Sequence, residues 1–160
     1  MADDGIMIEH PNRAKASSKA TRVIVVLLLL TSAVLLAVIT IGGWDAEAGG
    51  QAVTLAWVLV YLVLAFFVAR WNRGVLPVAA ALAVIMLIFC AVAAPGWFDR
   101  DALGYTDPAI SSGVLGVLTI IAIPLQALLA IFAMHGFQQS WNVEVERYAD
   151  GSTNAEPLPA

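Results

Sequence analysis

The sequence predicts an all-α integral membrane protein, an antiparallel four-helix bundle with both termini on the cytoplasmic side. Three observations predict it: four long stretches without charge, a marked asymmetry in lysine and arginine, and tryptophans at the ends of those stretches. The 160-residue chain is 61% hydrophobic and only 12% charged, with a mean hydropathy of +0.86. Soluble domains carry about 25% charged residues, so the composition argues against a soluble fold.

No charge occurs between Arg22 and Asp45, Glu47 and Arg70, Arg73 and Asp99, or Asp107 and Glu144. Each gap provides the roughly 20 apolar residues that a helix needs to cross a ~30 Å hydrocarbon core. The spans are read as 23–41, 52–69, 75–94 and 113–136, making 23–136 the transmembrane domain. Without water to satisfy backbone groups, segments of this length must be helical. A basic N-terminal tail over 1–22 and a C-terminal tail over 137–160 flank that domain, and the polar ends at 1–18 and 150–160 read as flexible. The first apolar stretch exceeds the roughly 7–15 residues of a signal-peptide core and lacks a small-residue cleavage site, so it reads as a retained helix.

Orientation follows from the basic residues. Arg13, Lys15, Lys19, Arg22, Arg70, Arg73 and Arg147 fall on one side, and Arg100 alone falls on the other, among Asp45, Glu47, Asp99, Asp101 and Asp107. This is the positive-inside pattern for cytoplasmic termini. Trp44 and Trp97 mark the outer boundary, Trp71 and Trp141 the inner one. The short connection Arg70–Gly74 predicts that the second and third helices are antiparallel neighbours. Pro77 suits the first turn of the third helix, and Asp107-Pro108 reads as a cap and first position for the fourth. The outer loop is read as 95–112.

Small and polar residues mark where membrane helices touch, since lipid is as apolar as leucine. In the fourth helix Gly116, Thr119, Ala122, Gln126, Ala130 and Ala133 recur at steps of three and four and form the predicted packing face. Leu118, Ile121, Leu125, Leu128 and Phe132 lie roughly opposite and are assigned to lipid. Ala79 and Ala83, and Ala33 and Ala37, are small pairs that permit close approach on the third and first helices. Pro124 removes a backbone donor and predicts a kink in the fourth helix.

Thr31, Ser32, Tyr61 and Gln126 fall near mid-span on three helices and form the candidate site. They can line a pocket for a lipophilic ligand, or simply hydrogen-bond across helices at an average of about 0.6 kcal/mol per bond. The second reading is the ordinary one, and Tyr61 and Gln126 are expected to meet.

The spans contain no Asp, Glu, Lys or Arg, which argues against proton- or ion-coupled transport. His10 lies in the N-terminal tail and His135 at the end of the fourth helix, so no axial pair for haem stands at mid-depth. Neither a zinc set nor an EF-hand is complete: the acidic run from Asp99 through Asp107 puts Leu103 and Ile110 where calcium ligands would be needed. Cys90 has no partner cysteine, and no nucleophile stands beside a base. No cofactor or metal is therefore expected, and nucleic acid is not an expected partner. The expected partners are the lipid bilayer and a membrane protein or a second copy of the chain. Alanine- and valine-rich spans with short loops point to a bacterial cytoplasmic membrane. The function expected is a non-enzymatic accessory or scaffolding subunit. A small facilitator or lipophilic-ligand carrier is the first alternative, and a membrane enzyme with an outer-loop site the second.

Overall fold

The computed structural model describes residues 7–47, 49–101 and 107–147, and its architecture is almost wholly helical. A short strand β1 (Met7–Glu9) and a helical turn α1 (Pro11–Ala14) lead into α2 (Ala16–Gly42). Then come α3 (Gln51–Ala69), α4 (Leu76–Phe98), α5 (Ser112–Gln138) and a closing strand β2 (Val145–Arg147). The helices α2 to α5 are each long and apolar enough to cross a membrane, the character of a small membrane protein.

Several boundaries differ from the sequence reading, each for a local reason. α2 begins at Ala16, before the apolar stretch, because nothing in Ser17–Arg22 breaks a helix and Ser18 and Thr21 are buried. The N-terminal end, expected to be flexible over 1–18, contributes β1, α1 and the first turn of α2, while the end at 150–160 lies outside the described residues. β1 pairs antiparallel with β2, Met7 opposite Arg147, so the fold is not purely α. The pairing is possible because an even number of helices returns both ends of the chain to one side. The outermost parts of the tails, 1–6 and 148–160, lie outside the described residues.

Pro95 does not end α4, which continues to Phe98. Proline forfeits only its own donor, and Trp97 holds the extra turn by packing over Gly43, where an added Cβ would lie 2.5 Å from the indole. Asp107-Pro108 does not open α5: the N-cap is Ser111 and the helix starts at Ser112. The intervening chain is instead tied to α2, with the Ile110 N–H donating to the Gly42 carbonyl at 3.0 Å. Pro77 does sit in the first turn of α4, and α5 runs as one helix through Pro124.

The helices α4 and α5 pack together most extensively, α2 packs on α3 and on α5, and α3 meets α4 only sparsely. The expectation that the tight turn makes α3 and α4 close neighbours is thus corrected. The cause is the distribution of small residues. Ala79 and Ala83 on α4 and Ala122 and Ala133 on α5 are fully buried, which lets those two backbones approach closely. Between α3 and α4 the aromatic contact is Trp57 edge-to-face on Phe89 at 5.9 Å.

On α5, Gly116, Thr119, Ala122, Gln126 and Ala133 are buried, Ile121 and Leu128 are exposed, and Leu118, Leu125 and Phe132, also assigned to lipid, are half-buried. Ala130 is only half-buried, because Leu129, one position earlier, takes the core place. Trp97 and Trp141, read as boundary markers, are turned into the protein and buried, whereas Trp44 is exposed.

Candidate functional site

Gln126 stands at the centre of the molecule and joins three helices. The Tyr61 hydroxyl of α3 donates to Gln126 Oε1 at 2.8 Å, and Gln126 Nε2 donates to Ser32 Oγ of α2 at 3.0 Å. All three residues are 0% exposed, so water does not compete for these bonds. A glutamine amide suits the junction because it carries both an acceptor and donors, and each hydroxyl needs only one of them.

Thr31 does not belong to this group. It is exposed on the outer side of α2, since one residue along a helix turns the side chain by about 100° and Ser32 takes the inward direction. Thr119, two turns before Gln126 on the same face, donates back to the Leu115 carbonyl at 2.8 Å. The midplane group is therefore closed and internally satisfied.

The principal cavity lies elsewhere. A cleft of about 590 Å³, open to one side, separates the outer halves of α3 and α4, and neither Tyr61 nor Gln126 lines it. Its walls include Gly50, which caps α3, Thr54 of α3, and Ala93 and Gly96 of α4, and Ile39 and Met86 also line it. The volume falls within the roughly 300–1,000 Å³ of ligand-binding clefts.

One end of the cleft is polar. Glu47 lines it, as does Arg100, whose Nη2 donates to the Ala46 carbonyl at 2.5 Å and whose guanidinium lies over the Trp97 ring at 5.1 Å. Burial pushes the Glu47 carboxyl above the usual carboxylate range; the Thr40 hydroxyl and the Arg100 charge oppose the shift without cancelling it. Thr40 is close to the carboxyl yet completes no hydrogen bond: Thr40 Oγ1 and Glu47 Oε2 are both buried without a partner, as is Trp57 Nε1. Sequence reasoning missed this end. Its signal was Arg100, the single basic residue of an otherwise acidic side, which needed a carboxylate from a different loop to give it meaning.

The remaining candidates are scattered. His10 faces Glu144 at 3.4 Å and His135 lies against Gln139, so the two histidines do not come together. Asp99 and Asp107 are exposed, and the stretch 102–106 of the acidic loop lies outside the described residues. Cys90 is buried on α4 at the edge of the cleft. No family model, curated protein or solved structure matches the chain.

Proposed function

We propose that the chain is a non-enzymatic accessory or scaffolding subunit of a membrane complex, an antiparallel four-helix bundle with both termini cytoplasmic. The observation that carries this reading is the cleft between α3 and α4. Hydrocarbon gives helices no drive to associate, so close helix–helix contact depends on small residues that let backbones approach. Gly50, Thr54, Ala93 and Gly96 supply such a surface on the two walls of an opening that no part of the described chain fills. A partner's transmembrane helix can seat bulky side chains there. The closed centre supports the same reading, because the polar groups at Tyr61, Gln126 and Ser32 are consumed in joining α2, α3 and α5.

Orientation rests on the arginines. Arg13, Arg22, Arg70 and Arg73 gather at the end that carries β1 and β2, while Arg100 stands at the other. A bacterial cytoplasmic membrane fits the composition of the spans.

The test is site-specific photocrosslinking of the full chain in its native membrane. A photoreactive residue at Ala93, in the cleft wall, is expected to give a discrete protein adduct. The same probe at Val34 or Ile131, which are 64% and 63% exposed on α2 and α5, is expected to give lipid products alone. Identical products from all three positions would contradict the proposal. A second reading, a carrier for an amphiphile, is favoured by the buried Glu47 carboxyl at the polar end of the cleft. It predicts instead a single small-molecule mass attached at Ala93.

A further inference from the structure

We propose that the arginine-bearing end of the protein holds the phosphate of an anionic phospholipid headgroup. A second cavity, of about 470 Å³, lies at that end and is lined by Arg13, Arg70, Trp71, Arg73, Phe137 and Asn142. Its three arginines come from three separate elements: α1, the end of α3, and the turn that precedes α4. A positive-inside bias explains why arginines occur on this side, but not why they converge on one cavity.

The guanidinium groups are held in place and are short of partners. Arg13 Nε donates to the Trp141 carbonyl at 2.9 Å, leaving both terminal nitrogens without a bond. Arg73 Nε donates to the Phe137 carbonyl at 2.6 Å and its Nη1 to Asn142 Oδ1 at 3.0 Å, leaving Nη2. The Arg70 side chain makes no hydrogen bond among the described residues, and its guanidinium lies over the Phe66 ring at 5.4 Å. Among the described residues no carboxylate pairs with any of these three. Donors fixed by backbone carbonyls and unmatched by an acid constitute an anion site, and phosphate oxygens suit the planar guanidinium fork.

The backbone between them is shaped for this arrangement. α3 ends in a Schellman motif, with Trp71 N–H donating to the Val68 carbonyl and Asn72 N–H to the Phe67 carbonyl, both at 3.0 Å. Glycine usually occupies the left-handed position of that motif, yet here it is Trp71, at φ 62°. The strained tryptophan is gripped between Trp141, edge-to-face at 5.3 Å, and the Arg22 guanidinium at 4.2 Å. Its indole forms one wall of the cavity and sets Arg70 and Arg73 on either side of the turn.

A lipid rather than a soluble phosphate fits the surroundings. Phe66 and Phe67 are exposed on the last turn of α3, and the Arg70 guanidinium that lines the cavity lies over the Phe66 ring, so an apolar surface for acyl chains adjoins the headgroup site. The test uses the purified full chain in detergent and native mass spectrometry with phosphatidylglycerol, phosphatidylcholine or inorganic phosphate. Phosphatidylglycerol is expected to be retained in preference to phosphatidylcholine. Arg70→Gln should weaken that retention about fivefold, and adding Arg73→Gln about fivefold again, following the ~1 kcal/mol attributed to each basic residue near an anionic surface. Lys19→Gln, which removes an exposed charge away from the cavity, should leave retention unchanged. If the Arg73 variant fails to fold, Arg70→Gln decides alone, since its side chain anchors no backbone group. Equal retention of the two lipids, or unaltered retention by Arg70→Gln, would overturn the proposal. So would displacement of phosphatidylglycerol by millimolar inorganic phosphate, which would assign the site to a soluble anion.

Discussion

Replacing Gly136 with leucine is expected to destabilise the protein far more than the same change at Gly113, lowering thermal stability in detergent by the equivalent of about 3 kcal/mol, the upper end of overpacking costs. Gly136 lies where the arginine-bearing ends of α2 and α4 and the segment after α5 converge. A Cβ there would meet Trp141 at 3.2 Å and both Leu76 and Thr21 at 3.3 Å. These three neighbours are 0%, 0% and 5% exposed, so none has space to withdraw. Trp141 is held further by its indole N–H, which donates to Gln139 Oε1 at 2.9 Å, while Gln139 Nε2 donates to Thr21 Oγ1 at 2.9 Å. An alanine at 136 requires shifts of only a few tenths of an ångström, and its helix propensity, about 1 kcal/mol better than glycine, offsets much of the strain. Gly113→Leu is the control, since nothing lies within 4 Å of its added Cβ. Equal melting temperatures for Gly136→Leu and Gly113→Leu would show that the junction is not packed as described.

The second large effect belongs to Gln126. Gln126→Leu keeps most of the side-chain volume but strands the Tyr61 and Ser32 hydroxyls, and the expected loss is about 1–2 kcal/mol. Ser32 can turn back to a carbonyl of its own helix and recover part of this. Tyr61 cannot, because its hydroxyl lies at the end of a rigid ring. The double-mutant cycle with Tyr61→Phe isolates the pair, and the coupling expected is about 0.5–1.5 kcal/mol. Strictly additive losses would mean that the 2.8 Å bond contributes nothing to stability.

The contrast between these two sites shows what a linear sequence discloses. The helices were legible because hydrocarbon leaves the backbone one solution, and the charges mark where each helix meets water. The contact of Tyr61 with Gln126 was legible too: both are polar groups at mid-span, and in hydrocarbon such groups seek each other. Thr31 misled because adjacent residues on a helix are equally polar in sequence but face about 100° apart. Junctions made by distant segments were hidden. Thr21 is far in sequence from Gly136 and Trp141, as Arg13 is from Arg73, and no local period links them.

The separation of α3 from α4 was hidden for a related reason. A short connection fixes where two helices meet but not how they diverge, and here the small faces of α4 and α5 draw α4 away. The cleft and its Glu47–Arg100 end follow from that divergence. Likewise Pro95 looked like a helix stop, because the packing of Trp97 over Gly43 that sustains the last turn is a tertiary contact.

Both the subunit proposal and the lipid site depend on four crossings with the arginine-bearing end in the cytoplasm. Topology reporters fused in turn after Asp45 and after Arg73 measure this directly. The seven-to-one distribution of basic residues predicts an extracytoplasmic signal from Asp45 and a cytoplasmic one from Arg73. A cytoplasmic signal from the fusion after Asp45 would contradict the account at its foundation.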